Sequence, residues 1–358
     1  MMLLVRVQAE VSPIGQSKRG DVAGCVWQYC YCREKKYYPF EDPRDFAYRI
    51  EVKENAPELL RGALSRASVD VVGTGDYQPA ERKFLLSRRM LEVCLELGFP
   101  VSVLERSPLV LRDLDLLQEI NQRARAVMMW SIIYTPDSAH RATLRQMERL
   151  APPPEKRFEA MEQFAKAGIL TGTCMMPVLP DLCDTDENLE AVVRWTAEHG
   201  GQFVLAGGLT MADQQREYFL GVLDERFPKL APRYHQLYPP GQYGPTRSDW
   251  RPVALRLKEL CAQCGISDRM PRPIIPGDKR ALNKRVVEAL ANECYNMELD
   301  NVPQQRVWAY RKAAWAIEDT EQDLGLIYRT MGVKGLEGIE NVGPSMAKVI
   351  ETLLSPRR

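Results

Sequence analysis

Val69-Asp70-Val71-Val72-Gly73-Thr74-Gly75-Asp76-Tyr77-Gln78-Pro79-Ala80-Glu81 joins a β-branched run to a Gly-rich turn and then to a helical pattern. Val69–Gly73 predicts a strand, and Arg82–Leu97 carries Leu85, Leu86, Met90, Leu91, Val93 and Cys94 on one helical face. The same alternation recurs on both sides. Further strands are expected at Arg49–Lys53, Val101–Glu105, Val127–Tyr134, Gly168–Met176 and Gln202–Ala206. Helices are expected at Leu109–Arg123, Glu155–Ala167 and Asp186–His199. Strand–helix repetition of this kind argues for an α/β fold, a parallel sheet with crossover helices in an open or closed barrel. Chemistry then gathers at the C-terminal ends of the strands. The turn after Val72 would sit there. Asp76 can accept hydrogen bonds from a ligand or cap the following helix, and Ser131 is a polar residue inside an apolar strand.

The bulk numbers exclude several classes. The chain has 358 residues, with 48 Lys plus Arg against 48 Asp plus Glu, so nucleic-acid binding would need a local site. Three histidines make a histidine-rich metal site or a His-based triad improbable. No apolar run is long enough for a membrane span, and the opening Met1–Val5 lacks the shape of a signal peptide. The chain reads as cytoplasmic. Its nine cysteines then lie in a reducing compartment, where clustered thiols are used for metal or cluster ligation more often than for disulfides.

Three of them stand within eight residues, in Gly24-Cys25-Val26-Trp27-Gln28-Tyr29-Cys30-Tyr31-Cys32-Arg33. Thiolates so close together suit iron–sulfur or zinc. In an extended chain Cys30 and Cys32 point to opposite sides, so joint ligation needs a bent loop. Cys94, Cys174 and Cys183 read as core residues. Cys261 and Cys264, at i and i+3, read as a buried helical pair rather than ligands.

Downstream, Pro232–Tyr243 reads as a surface loop and Met270–Gly277 as a linker. From Lys279 on the pattern is helical, with Leu282, Val286, Leu290 and Cys294 every four residues. In Gly338-Ile339-Glu340-Asn341-Val342-Gly343-Pro344-Ser345-Met346-Ala347-Lys348, Asn341 and Gly343 suit a tight turn. Pro344 suits the first position of the next helix. The N–H groups of such a turn are suited to a phosphate oxygen, with Lys348 one helical turn further in. Two domains follow, 1–278 and 279–358.

The cysteine segment resembles the cluster loop of radical S-adenosylmethionine proteins similar to spore photoproduct lyase. So do Glu51-Val52-Lys53-Glu54-Asn55-Ala56-Pro57-Glu58-Leu59-Leu60, the Thr74–Glu81 turn, Glu105-Arg106-Ser107-Pro108-Leu109-Val110-Leu111-Arg112-Asp113, and Ala151–Arg157 with Ala167-Gly168-Ile169. The resemblance implies a partial (β/α) barrel of radical S-adenosylmethionine type. It also implies a 4Fe–4S cluster on Cys25, Cys30 and Cys32, with S-adenosylmethionine as cosubstrate. Tyr31, Asp76, Arg106 and Ser131 would contact the cosubstrate, Arg106 standing where the family has a lysine. The chain also departs from the family in the spacing of the cysteine segment: it is two residues shorter between Cys25 and Tyr29, so the central cluster cysteine is missing.

Residues 338–350 resemble a helix-hairpin-helix motif. With Val307–Glu318 and Leu324–Tyr328, they make 279–358 similar to the N-terminal domain of family X DNA polymerases. That resemblance implies backbone contacts to DNA through Asn341, Val342, Gly343, Ser345 and Lys348. The expected activity is radical chemistry on DNA, in lesion repair or nucleotide modification. The rivals are a cluster-deficient, non-enzymatic DNA-binding protein, and an enzyme of the same class acting on RNA or protein.

Overall fold

The computed structural model describes residues 28–37, 42, 44, 46, 52–75 and 77–354. Cys25, Asp76 and most of the strand expected at Arg49–Lys53 lie outside them. The described residues divide into two compact units, before and after the Met270–Pro271 bond.

The first unit opens with a 3-10 turn at Tyr31–Arg33 and helix α1 (Ala56–Leu64). Strand β1 (Val72–Gly75) leads to α2 (Glu81–Phe84) and α3 (Leu86–Leu97). Then come β2 (Val101–Glu105), α4 (Leu114–Arg123), β3 (Ala126–Ser131), α5 (Arg141–Met147) and α6 (Pro154–Lys166). The sheet is completed by β4 (Leu170–Val178), α7 (Asp186–Glu198) and β5 (Val204–Gly208), followed by α8 (Asp213–Arg226), α9 (Ala231–Leu237) and α10 (Arg247–Gln263).

The strands are parallel and lie in sequence order, β1-β2-β3-β4-β5. Because the order never reverses, right-handed crossovers put the connecting helices on one face of the sheet. The side chains agree. Val72, Val101, Val103, Met128 and Trp130 pack with Leu91, Leu117, Ile120, Phe158 and Phe164 of the helices. The alternate positions form the other face, where Val127, Met129, Cys174 and Phe203 make a small separate cluster. Among these larger residues the face also carries small ones, Gly73, Gly75, Ser102 and Gly172. A Cβ at Gly172 would lie 2.4 Å from the carbonyl oxygen of Phe203. Leu104, also on it, is 42% exposed.

The helix expected over Arg82–Leu97 is broken at Leu85, whose φ is 55°. The stretch read as a loop, Pro232–Tyr243, contains most of α9, and its Tyr234 and Tyr238 are fully buried. Cys94, Cys174, Cys183 and Cys261 are buried, but Cys264 is exposed, at the C-terminal cap of α10.

The second unit holds α11 (Ala281–Leu299), α12 (Gln304–Asp319), α13 (Leu324–Glu337) and α14 (Pro344–Leu354). Its core joins Val286, Leu290, Ala313, Ile317, Leu324, Leu336, Ala347 and Ile350. Asn283 ties the α12–α13 connection, donating to the carbonyls of Thr320 and Gln322 and accepting from the Leu324 N–H. The unit begins before Lys279 because the preceding segment is bonded into it. The Arg272 side chain pairs with Glu318, and its N–H donates to Glu288 at 2.7 Å. Lys284 pairs with Asp278 at 2.6 Å. Among the described residues no helix is long and apolar enough to cross a membrane.

The two faces of the sheet should respond differently to truncation. Phe158→Ala, on the helix-covered face, is expected to lower the unfolding free energy by about 3–5 kcal/mol. Leu104→Ala, at an exposed position of the other face, is expected to cost under about 1 kcal/mol. Urea denaturation of the two variants checks this, and equal losses would contradict the difference in packing.

Candidate active site at the cysteine turn

Strand β2 ends at Glu105, and the next residue, Arg106, turns into a buried charge cluster. Arg106 pairs with Glu148 and donates to the Tyr29 hydroxyl at 3.2 Å. The Tyr29 hydroxyl also donates to Glu148. The other carboxylate oxygen of Glu148 accepts from Arg157 at 2.7 Å. Arg157, fully buried, further donates to the carbonyls of Ser131 (2.8 Å) and Pro152 (2.9 Å). Burial alone would push the Glu148 carboxyl up. The charges of Arg106 and Arg157, with the Tyr29 hydrogen bond, overcome that and hold it at about 2. Tyr29, buried beside them, is held well above its usual range, chiefly by desolvation.

This cluster grips the cysteine segment from one side, because Tyr29 immediately precedes Cys30. Helix α8, which follows the last strand, grips it from the other. Gln215 donates to the Tyr29 carbonyl at 3.3 Å, Gln214 to the Arg33 carbonyl at 2.7 Å, and Asp213 accepts from the Lys35 N–H at 3.2 Å. The buried Arg33 guanidinium lies 4.2 Å from the Tyr218 ring centre and 4.5 Å from that of Phe46. A third grip comes from the end of α5, where the Gln28 N–H donates to the Met147 carbonyl at 3.0 Å. All these partners follow the C-terminal ends of strands, so the turn sits at the end of the sheet where parallel α/β proteins place their chemistry.

The bend that the Cys-Tyr-Cys spacing requires is present. Cys30 is the N-terminal cap of the 3-10 turn, and its carbonyl accepts from the Arg33 N–H at 3.2 Å. Cys30 is buried and Cys32 partly so; Tyr31 between them is half exposed, edge-on to Tyr37. Cys32 and burial raise the Tyr31 hydroxyl far above its usual range. Among the described residues no group of three or more His, Cys, Asp or Glu side chains is placed to hold a metal. The third thiol, Cys25, lies outside them.

Beside Asp76, the N–H of Tyr77 donates to Glu105 at 2.8 Å and its hydroxyl to Asp113 at 2.8 Å, which fixes the β1 turn to the end of β2. Asp113 also accepts from Arg88 and Arg112, a structural role. Ser131, 7% exposed, is the last residue of β3. Arg106, expected to face a ligand carboxylate, is paired instead with a carboxylate of its own chain. Glu148, Gln214 and Gln215 were not legible as site residues, and Tyr29 was legible only as part of the cysteine segment. Arg157 stood within a quoted motif, but its partner did not.

In the helical unit, Asn341 adopts φ 60° in the turn before α14. Val342 is buried, and its N–H is taken by the Ile339 carbonyl at 3.1 Å. Asn341, Gly343, Ser345 and Lys348 are exposed, and among the described residues the Gly343 and Ser345 N–H groups make no hydrogen bond.

Fold and site define a singly wound parallel α/β protein with a cysteine turn clamped at the C-terminal edge of its sheet. No family model matches the chain. Over 234 residues it is 30% identical to an uncharacterized protein of Mycobacterium tuberculosis, covering 63% of this chain and 67% of the relative; the match to an uncharacterized protein of Mycobacterium bovis is the same. The chain belongs to the family of these mycobacterial proteins. An uncharacterized protein of Methanocaldococcus jannaschii is 28% identical over 167 residues, 46% of this chain and 60% of the relative. Among solved structures, a spore photoproduct lyase mutant with bound AdoMet and dinucleoside spore photoproduct aligns with TM-score 0.49 and 13% identity, over 69% of this chain and 74% of that one. Streptococcus suis SuiB bound to S-adenosylmethionine aligns with TM-score 0.39 and 12% identity, over 60% and 46%.

Because the folded state depresses the Glu148 carboxyl from 4.5 to about 2, its contribution to stability is full above pH 4.5 and is lost as pH falls toward 2. Glu148→Gln is expected to cost about 3–5 kcal/mol at neutral pH, by leaving two buried guanidiniums without their counter-charge. It should also flatten the stability profile across that acid window. Urea melts at several pH values measure both, and a variant as stable and as acid-sensitive as wild type would remove the assigned role.

Proposed function

We propose that this chain is a radical S-adenosylmethionine protein acting on nucleic acid, with a 4Fe–4S cluster on Cys25, Cys30 and Cys32. The observation that carries this reading is the cysteine turn held at the C-terminal edge of the sheet by Tyr29, Glu148 and Arg106. It adds to the ordered motif resemblances between residues 24 and 180. When bound, the cluster supplies one electron for reductive cleavage of S-adenosylmethionine. The protein's own part is to hold and shield. Tyr29 and α8 orient the turn, and Arg33 on its aromatic rings excludes water from behind it. Arg106 and Arg157 fix Glu148, and Glu148 in turn fixes Tyr29 at the start of the turn. Tyr31, Asp76 and Ser131 are the proposed cosubstrate contacts.

In the helical unit, Gly343, Ser345 and Lys348, with the Asn341 turn, are proposed to hold the DNA backbone without reading sequence. The N–H of Val342 is already used within the turn, which leaves those of its neighbours as the phosphate donors. The short Cys25–Tyr29 spacing favours one second reading, a DNA-binding relative without a cluster.

Iron and sulfide content with the ultraviolet–visible spectrum, after anaerobic reconstitution, separates the two. The expected result is about four irons per chain, lost in Cys25→Ala, Cys30→Ala and Cys32→Ala. A wild type without cluster would leave the second reading. For the helical unit, Lys348→Ala is expected to weaken duplex DNA binding evenly across sequences and to reduce the salt slope by roughly 0.9. An unchanged slope in fluorescence anisotropy titrations would remove Lys348 from the interface, and tighter binding to RNA than to DNA would change the substrate class.

A further inference from the structure

A cavity of about 400 Å³ lies beside the cysteine turn, lined by Gln28, Arg145, Gln146, Arg149, Val222, Arg226 and Phe227. Three of its residues are arginines and none is acidic. Arg145 is held by backbone carbonyls, of Glu148 at 3.3 Å and Ala151 at 2.5 Å, so no carboxylate neutralises it there. Arg149 is exposed and has no hydrogen-bond or ion-pair partner among the described residues. Arg226 has only the carboxylate of its neighbour Glu225, at 3.9 Å. Gln28 uses its amide oxygen to accept from Tyr218, so its remaining polar group is an N–H donor. Val222 and the half-buried Phe227, at the same end of α8 as Arg226, add apolar surface to the lining.

The geometry points to a nucleotide-unit binding site: the arginines take a phosphate group, and Phe227 takes the sugar or base. Guanidinium forks match phosphate oxygens bidentately. A single aromatic face stacks on any base. The volume falls within the range of small-molecule sites. Gln28, which lines the cavity, precedes Cys30 by two residues. This inference shares with the proposed function the nucleic-acid class of ligand, but it does not depend on the cluster.

The test uses the full chain without reconstitution. Arg149→Ala/Arg226→Ala removes two exposed cations, and Arg61→Ala/Arg89→Ala, on distant surface, matches the change in net charge. Circular dichroism confirms that both are folded. Fluorescence anisotropy follows a labelled single-stranded DNA oligonucleotide across salt concentrations, and calorimetry follows adenosine monophosphate. The cavity variant alone should bind the oligonucleotide roughly tenfold more weakly, with a salt slope shallower by ~1.4. Weakened binding of adenosine monophosphate alone would keep the site and make its ligand a free nucleotide. Equal binding of both probes by the cavity variant, the control and the wild type overturns the inference. A wild type that binds no oligonucleotide at all counts against the nucleic-acid reading of the function, and the mononucleotide arm still decides the cavity.

Discussion

One carboxylate organises the first unit. Glu148 sits between Arg106 and Arg157 with the Tyr29 hydroxyl on the same oxygen as Arg106. Each partner comes from a different part of the chain: the residue after β2, the helix α6, and the segment leading into the cysteine turn. A buried ion of this kind is costly to form and costlier to break, because removing any one partner leaves charge or hydrogen-bonding capacity unmet in a low-dielectric place. The Ser131 carbonyl is drawn in through Arg157, so the end of β3 is held as well. The position of the thiols follows from the electrostatics of groups that carry no chemistry of their own.

The sheet supplies the second constraint. A strand order without reversal sends the connecting helices to one side, and the opposite side carries small residues among larger ones. They are Gly73, Gly75, Ser102 and Gly172, and Gly172 has no room for even a Cβ. Those residues look undistinguished in sequence, since a Gly in a strand more often signals a bulge or a bend. The two faces pack separately, the helix-covered one around Trp130, Phe158 and Phe164 and the other around Met129 and Phe203.

Much of the fold was legible, because it is written locally. The period-2 run Val101–Glu105 and the helical face of Asp186–His199 needed no tertiary information and stand within a residue of where they were expected. Leu85 escaped because its positive φ serves a junction between two helices, which hydrophobic periodicity does not register. The helix at Ala231–Leu237 escaped because it spans barely two turns among Pro, Tyr and His, and burial alone makes it a helix. The cysteine turn was conspicuous for its composition. Glu148 and Arg157 were not, since Arg106 and Glu148 are 42 residues apart and no spacing rule joins them. Concentrated chemistry shows in a sequence; the groups that aim it show only once the chain has folded.

The sequential strand order also sets a timetable. Each strand pairs with the one made just before it, so the sheet can grow from β1 onward as the chain emerges, through short loop closures. The cysteine turn cannot follow that schedule. Its bonds to α8 join residues 181 and 186 positions apart, so they must wait until nearly the whole first unit has been synthesised. Cys30 and Cys32 are therefore made well before the partners that lock their turn in place. Until α8 has formed, Cys30 and Cys32 lack the contacts that fix their turn, on a sheet that is already taking shape.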